Sequence, residues 1–358
     1  MNKRMRRVIS LALVLLMAVS LLTACGSEST STHSTDNTTT DTSADTKADG
    51  GKKIAVKIAH AGTEDSLMHK AWVVAADYME ANGNFECTIY PNGTLGSDVD
   101  LAQAVQSGDI QMSACSTSNL TSFNQNLEVF SLPFAFPNEE TAYAVLDGDF
   151  GTKMLDSMES ACGLKGLGYF ESCTYRELSS NKEVHTPADL KGMKVRVMQS
   201  NLHIAIWESL GAIPSAIAFG ELYTALSQGT VDAQDNPLEL VISQKFYEVQ
   251  KYITLTNHIF QVGMATCNPA WFNSLSAEDQ QVVLDAIRAG VEFQRQEAAA
   301  QKENYITTLE NDGLTVTALT DDELAQFQAL MGSAEDVIAA NVGADLVNEL
   351  KDAIEAAA

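Results

Sequence analysis

The chain has 358 residues, with 22 Lys or Arg against 47 Asp or Glu, a net charge of −25 and 45% hydrophobic residues. So large an acidic excess speaks against a nucleic-acid partner, because phosphate binding needs clustered positive charge. The apolar content excludes disorder for most of the chain, and the length predicts roughly two domains at about 150 residues each.

Lys3, Arg4, Arg6 and Arg7 precede an apolar run from Val8 to Leu22, which ends in Leu22-Thr23-Ala24-Cys25-Gly26. A basic start, about 15 apolar residues and small residues at the cut form the pattern of a secretory signal peptide. The run is shorter than the roughly 20 residues that a spanning helix needs. Its Leu-x-Ala-Cys ending resembles the bacterial lipobox, which implies that Cys25 is acylated and becomes the new N-terminus. Half of residues 26–51 are Ser or Thr, with no large apolar side chain. Such a segment cannot bury enough surface to offset its ordering entropy, and it reads as a disordered linker. The predicted mature protein is a lipoprotein body on the outer face of the cell membrane.

The body holds Cys87, Cys115, Cys162, Cys173 and Cys267, with no Cys-x-x-Cys spacing. An odd number in an exported chain cannot all pair internally. Cys162 and Cys173 are the nearest candidate pair, and small buried hydrophobes are the alternative.

In chain order, Lys53 to His60 reads as a strand and Ser66 to Asn82 as a helix closed by Gly83. Phe85 to Tyr90 alternates as a strand, Asp98 to Ser107 is helical up to Gly108, and Ile110 to Cys115 is a short strand. This β-α-β-α-β rhythm predicts a mostly parallel sheet covered by helices. Helices at 138–147 and 150–161 and strands near 165–171 and 174–180 follow. A second α/β run has strand 193–198, helices 201–210 and 219–228, and strand 230–234. Strands near 251–257 and 259–267 precede a helical stretch from Ala277 to Asn311, with Gly290 as its one weak point. At 1.5 Å per residue that helix is about 50 Å long, enough to span two domains.

Of seven arginines, three belong to the leader and Arg288 and Arg295 to the long helix. Arg176 and Arg196 are left in extended segments. A guanidinium offers a planar fork of donors that matches a carboxylate and stays charged when buried. The alternative is that both are ion-pair partners among the many acids. The run from Val231 to Pro237, with Asp232, Gln234, Asp235 and Asn236, lies at a predicted strand end, where α/β proteins place ligands. Asp232 and Asp235 could also serve as the carboxylate pair of a secreted glycoside hydrolase. His33, His60, His69, His185, His203 and His258 form no close ligand pair, and no nucleophile or phosphate-loop motif occurs. No metal, cofactor or catalytic residue is predicted, and a binding protein is favoured over an enzyme.

The stretch from Phe219 through Gly220-Glu221-Leu222-Tyr223 to Asp235-Asn236-Pro237 resembles the signature of DctP-type solute receptors of TRAP transporters. Tyr90-Pro91-Asn92-Gly93 to Asp98, Leu132-Pro133-Phe134, and Thr186-Pro187 to Val197 extend the resemblance at family-like spacing. It implies an α/β, two-domain, periplasmic-binding-protein-like (Venus flytrap) fold with a long helix along both domains. The domains expected are 52–172 with 261–299, and 173–260 with 300–358. Arg196 is the implied carboxylate clamp, Arg176 a second arginine contact, Asn236 an amide donor and Phe219 a packing aromatic. His60, Asp98 and Ser116 fall at positions that line the first-domain side of the cleft. Ala233 and Asp235 stand where the family has glycine and glutamate. The implied function is capture of a sugar acid such as a hexuronate, or of a C4-dicarboxylate, by a monomer that delivers it to the small and large membrane subunits of a permease. A receptor feeding a sensor kinase is the runner-up.

Overall fold

A computed structural model describes residues 52–170 and 174–358. The predicted signal peptide with Cys25, the linker and Cys173 lie outside the described residues.

The first half opens with β1 (Ile54–Ala59), α1 (Leu67–Asn82), β2 (Phe85–Tyr90), α2 (Asp98–Ser107) and β3 (Met112–Ser116). Ser66 caps α1 by accepting from His69 N, and Leu67, Ala71, Trp72, Ala75 and Met79 bury one helical face. In α2 the Ser97–Asp100 capping box starts the helix and Gly108, at φ 87°, ends it. Short 3-10 turns at 117–119 and 125–131 lead to α3 (Glu139–Asp147), α4 (Asp149–Cys162) and β4 (Lys165–Gly168).

The chain then crosses to a second sheet through β5 (Glu177–Ser180), β6 (Lys194–Val197), α5 (Asn201–Ser209), β7 (Ile213–Ala216), α6 (Leu222–Ser227), β8 (Ala233–Asn236), α7 (Leu238–Ser243) and β9 (Tyr252–Leu255). It returns as β10 (Gly263–Cys267) and α8 (Pro269–Ser274) and runs the length of α9 (Ala277–Asn311). Finally come β11 (Thr315–Ala318), α10 (Asp321–Met331), α11 (Ser333–Val342) and α12 (Ala344–Ala357).

The strand orders are β2-β1-β3-β10-β4 and β11-β9-β5-β8-β6-β7. β1 is parallel to β2 and β3, as the rhythm predicts. The sheets are nonetheless mixed: β10 is antiparallel to β3 and β4, and β5 to β8 and β9. Parallel neighbours need a helical crossover, whereas β5 and β10 are entered directly from the other sheet. The two crossing segments pair with each other, Arg176 N donating to Ile259 O at 2.8 Å and Gln261 N to Thr174 O at 3.1 Å. Gly263 makes this crossing possible, since a Cβ there would stand 2.3 Å from Phe170 O.

The segment predicted as helix 219–228 divides into a 3-10 turn at Phe219–Glu221 and α6. Strand β8 starts three residues later than the predicted strand, so Asp235 and Asn236 are strand residues and not a loop beyond it. Burial of these polar groups is offset by partners that lie far away in sequence. Helices α11 and α12, within the stretch expected in the second domain, also pack on residues 125–131 and on α3.

Helix α9 has the predicted bounds and touches α1 and β4 in the first half and α7 and β11 in the second. Gly290 is its crossing point with α1, where a Cβ would lie 2.8 Å from Ala71 O and 2.8 Å from the Phe170 ring. Gly290→Ala should therefore destabilise the protein by about 1–3 kcal/mol in urea unfolding. The gain of roughly 1 kcal/mol usual for Gly→Ala within a helix would contradict so close a crossing.

Candidate functional site

Arg196 is the third residue of β6. Val195 and Val197, its neighbours, point into the apolar core on the opposite face, which turns the guanidinium toward the space between the sheets. Its Nε donates to Ile217 O at 2.9 Å, and the guanidinium carbon lies 5.9 Å from the centre of the Phe219 ring. One terminal nitrogen, Nη1, is buried and has no partner in the protein. Burial and the neighbouring Arg176 charge pull this group down to about 10, against the pull of Asp235 and Asp98, so it stays charged at neutral pH.

Arg176, on the crossing segment, is committed differently. Nε donates to Asp235 Oδ2 at 2.6 Å, Nη2 donates to Asp235 O, and Nη1 donates to Gln261 Oε1. Asp235 Oδ2 also faces His258 Nε2 at 3.1 Å, and His258 Nδ1 meets Thr256 Oγ1 at 2.8 Å. Burial alone would raise the Asp235 carboxyl, but the Arg176 charge and the His258 and Arg176 bonds hold it well below the usual carboxylate range. Arg176 and Asp235 thus neutralise one another, and this triad anchors β8 to both crossing segments.

A cavity of about 70 Å³ lies between the sheets. Arg176, Arg196, Phe219 and Asn236 line it from the second half, and Asp98 and Ser116 from the first. His60 does not line it. Its Nε2 is 3.1 Å from His69 Nδ1 on α1, and burial, then His69, pulls it down to about 3, a neutral ring. Asn236 gives one amide proton to Gln234 Oε1. Asp98, the first residue of α2, is pushed up to about 6 by burial, opposed by the Arg196 charge and by the bond from Asn119 Nδ2 at 2.8 Å.

Several wall residues escaped sequence reasoning, above all Asn119, Gln261 and Met198. Asn119 follows closely on the predicted strand ending at Cys115, and a polar residue at such a junction is the signal that could have found it, whereas Gln261 lies inside the predicted strand 259–267 and carries no local signal. The hydrolase constellation does not assemble. Asp235 is held in the triad, and Asp232 Oδ2 accepts from Lys194 N at 3.0 Å outside the cavity wall. Cys87, Cys115, Cys162 and Cys267 are free thiols, which leaves no pair among the described cysteines. Among the described residues no helix is long and apolar enough to cross a membrane, and no His, Cys, Asp and Glu cluster could hold a metal ion.

Two sheets joined by paired crossing segments, with a cavity and a buried, partly unpartnered guanidinium between them, have the architecture of a cleft-type binding protein. Residues 58–340 match the bacterial extracellular solute-binding protein family 7, DctP. The chain is 33% identical over 273 residues to the 2,3-diketo-L-gulonate-binding periplasmic protein YiaO of Escherichia coli, covering 75% of this chain and 82% of that one. It is 29% identical over 304 residues to the C4-dicarboxylate-binding periplasmic protein DctP of Rhodobacter capsulatus, covering 84% and 91%. The sugar acid binding protein DctPAm of Advenella mimigardefordensis, solved with galactonate, superposes with a TM-score of 0.83 at 31% identity, covering 86% and 99%. The chain belongs to the DctP family: it is an extracytoplasmic TRAP-type solute-binding protein for small organic acids, working with a membrane permease, and not an enzyme.

Asp235→Asn leaves the Arg176 charge buried without its counterion. The expected cost is about 3 kcal/mol or more, read from the urea midpoint at unchanged slope. A cost under about 1 kcal/mol would mean that this ion pair does not hold the triad together.

Proposed function

We propose that this receptor captures a sugar acid, an aldonate or hexuronate, through a single carboxylate clamp at Arg196. The observation that carries the reading is the buried Arg196 Nη1 without a protein partner, beside a cavity shared by both halves. A carboxylate entering there would exchange its hydration for charge-assisted bonds from the guanidinium fork. Arg176 spends its donors on Asp235 and Gln261, so the cavity offers one free cationic fork rather than two. The other polar wall groups, Ser116, Asn119, Asn236 and Asp98, suit hydroxyls. A second ligand carboxylate would face Asp98, which disfavours a C4-dicarboxylate. The named ligands of YiaO and DctPAm, one a diketo sugar acid and the other galactonate, support the same class.

In this reading the two sheets mark two domains that close on the ligand about the crossing segments. Ligand bridging both halves favours the closed state by its differential affinity. Cys25 carries the lipid anchor, a role supported by its Leu-x-Ala-Cys setting, and residues 26–51 tether a monomeric body within reach of the permease.

A thermal-shift screen against aldonates, hexuronates, 2-oxo acids and C4-dicarboxylates tests the ligand class. A true ligand at about 100 times its Kd adds about 2.7 kcal/mol of stability. Stabilisation by dicarboxylates alone would overturn the sugar-acid reading. With the ligand so found, Arg196→Lys should weaken binding at least about tenfold in calorimetry, because an ammonium cannot reproduce the fork. Unchanged affinity would remove Arg196 as the clamp.

A further inference from the structure

A second contact between the halves lies beside the cavity and is separate from the arginine clamp. Glu239, in the first turn of α7, is buried, and its Oε1 accepts from Leu67 N, the first N–H of α1, at 3.0 Å. That N–H is one of the orphan donors of a helix start, where a negative group is also favoured by the helix dipole. Ser66 serves a different donor, His69 N. The cap of α1 is therefore completed from the other sheet's half. The residues that follow the two partners, Met68 and Leu240, both line the ligand cavity. Two further bonds run alongside: Thr63 Oγ1 donates to Ser243 O at 3.2 Å, and Gln244 Nε2 donates to Thr63 Oγ1 at 3.4 Å.

We propose that Glu239 is the latch of the cleft, a carboxyl from the second half that closes onto the start of α1 and fastens the two halves beside the ligand. The inference rests on the receptor reading only in requiring that the halves open and close. It also makes closure proton-linked.

Burial pushes the Glu239 carboxyl up to about 7, while the Leu67 N–H, the Ser243 hydroxyl and the Lys70 charge pull the other way without prevailing. The surroundings supply little else to offset burial. His60, just after β1, pairs with His69 in the first turn of α1. Leu67 packs on Ala298 of α9 and on Tyr143 of α3. Arg295 stacks on the Tyr143 ring at 4.3 Å, but its charge is engaged with Asp147 at 2.6 and 2.9 Å. Gln294, one turn before Ala298, is neutral. Opening the cleft returns Glu239 to water and to the ordinary value of 4.5. The closed state thus holds the proton more tightly. Its stabilisation is complete below the ordinary value and is lost as pH rises through about 7.

The test is amide hydrogen exchange of the mature protein without ligand, expressed as protection relative to the intrinsic rate at each pH, with Ala75 and Met79 deeper in α1 as internal references. Between about pH 8 and about pH 6, wild-type protection at Leu67 and Met68 should rise about tenfold relative to those references. Glu239→Gln keeps the acceptor oxygen and removes the titration, so its profile should be flat. Glu239→Ala should lose protection at Leu67 at every pH. Parallel profiles for wild type and Glu239→Gln, or wild-type protection in Glu239→Ala, would overturn the latch. Because no ligand is used, this profile in a protein that answers to no sugar acid would support the latch while removing the ligand class. A sugar acid that binds without the profile would remove the latch alone.

Discussion

The cavity wall is organised around a guanidinium that stays charged although it is buried. Arg196 is 1% exposed, and a buried charge is tolerated only when other groups replace its hydration. The protein supplies part of that replacement, through Ile217 O, the Phe219 ring and the field of Asp98 and Asp235. It stops short of a bidentate carboxylate. One terminal nitrogen keeps donor capacity that no protein group meets, and in the proposed reading a ligand carboxylate would complete it.

Arg176 makes that incompleteness possible. A second free arginine beside the first would repel it and invite internal pairing, but Asp235 and Gln261 consume Arg176 within the triad. Because those partners come from β8 and from the crossing segment before β10, the neutralisation also stitches the wall of the cavity to the joint between the halves. Charge balance and mechanical connection are one arrangement. The halves are further joined by an apolar cluster that includes Phe130, Trp207, Ile338 and Leu350. Polar contacts also cross between them, Leu67 N donating to Glu239 Oε1 and Gln199 N to Asn119 Oδ1.

The net charge of −25 opposes an anionic ligand at long range. Salt screens that field within about 8–10 Å, so recognition is a local matter. Among the four arginines of the body, Arg196 is buried and lines the cavity. In the proposed reading, affinity comes from the position and burial of one guanidinium and not from the total of positive residues.

Local pattern by itself determined much of the fold. The periodicity of α1, α2 and α9 and their Ser and Gly boundaries are short-range properties, and the helix from Ala277 to Asn311 needed no partner to be read. The patterns that read as an export signal and a linker are compositional and equally local. The family resemblance marked seven site candidates, and the folded chain gathers Arg196, Arg176, Asn236, Phe219, Asp98 and Ser116 around one cavity but leaves His60 out of its wall. Tertiary structure alone decided which of the two arginines is free, since Asp235 lies 59 residues from Arg176 in the chain. It also turned His60 toward His69, brought Asn119 and Gln261 into the wall, and set β5 and β10 antiparallel. Each of these outcomes depends on which groups meet across the joint between two sheets. A side chain's spare hydrogen-bonding capacity is a property of its neighbours in space, and no local pattern encodes it.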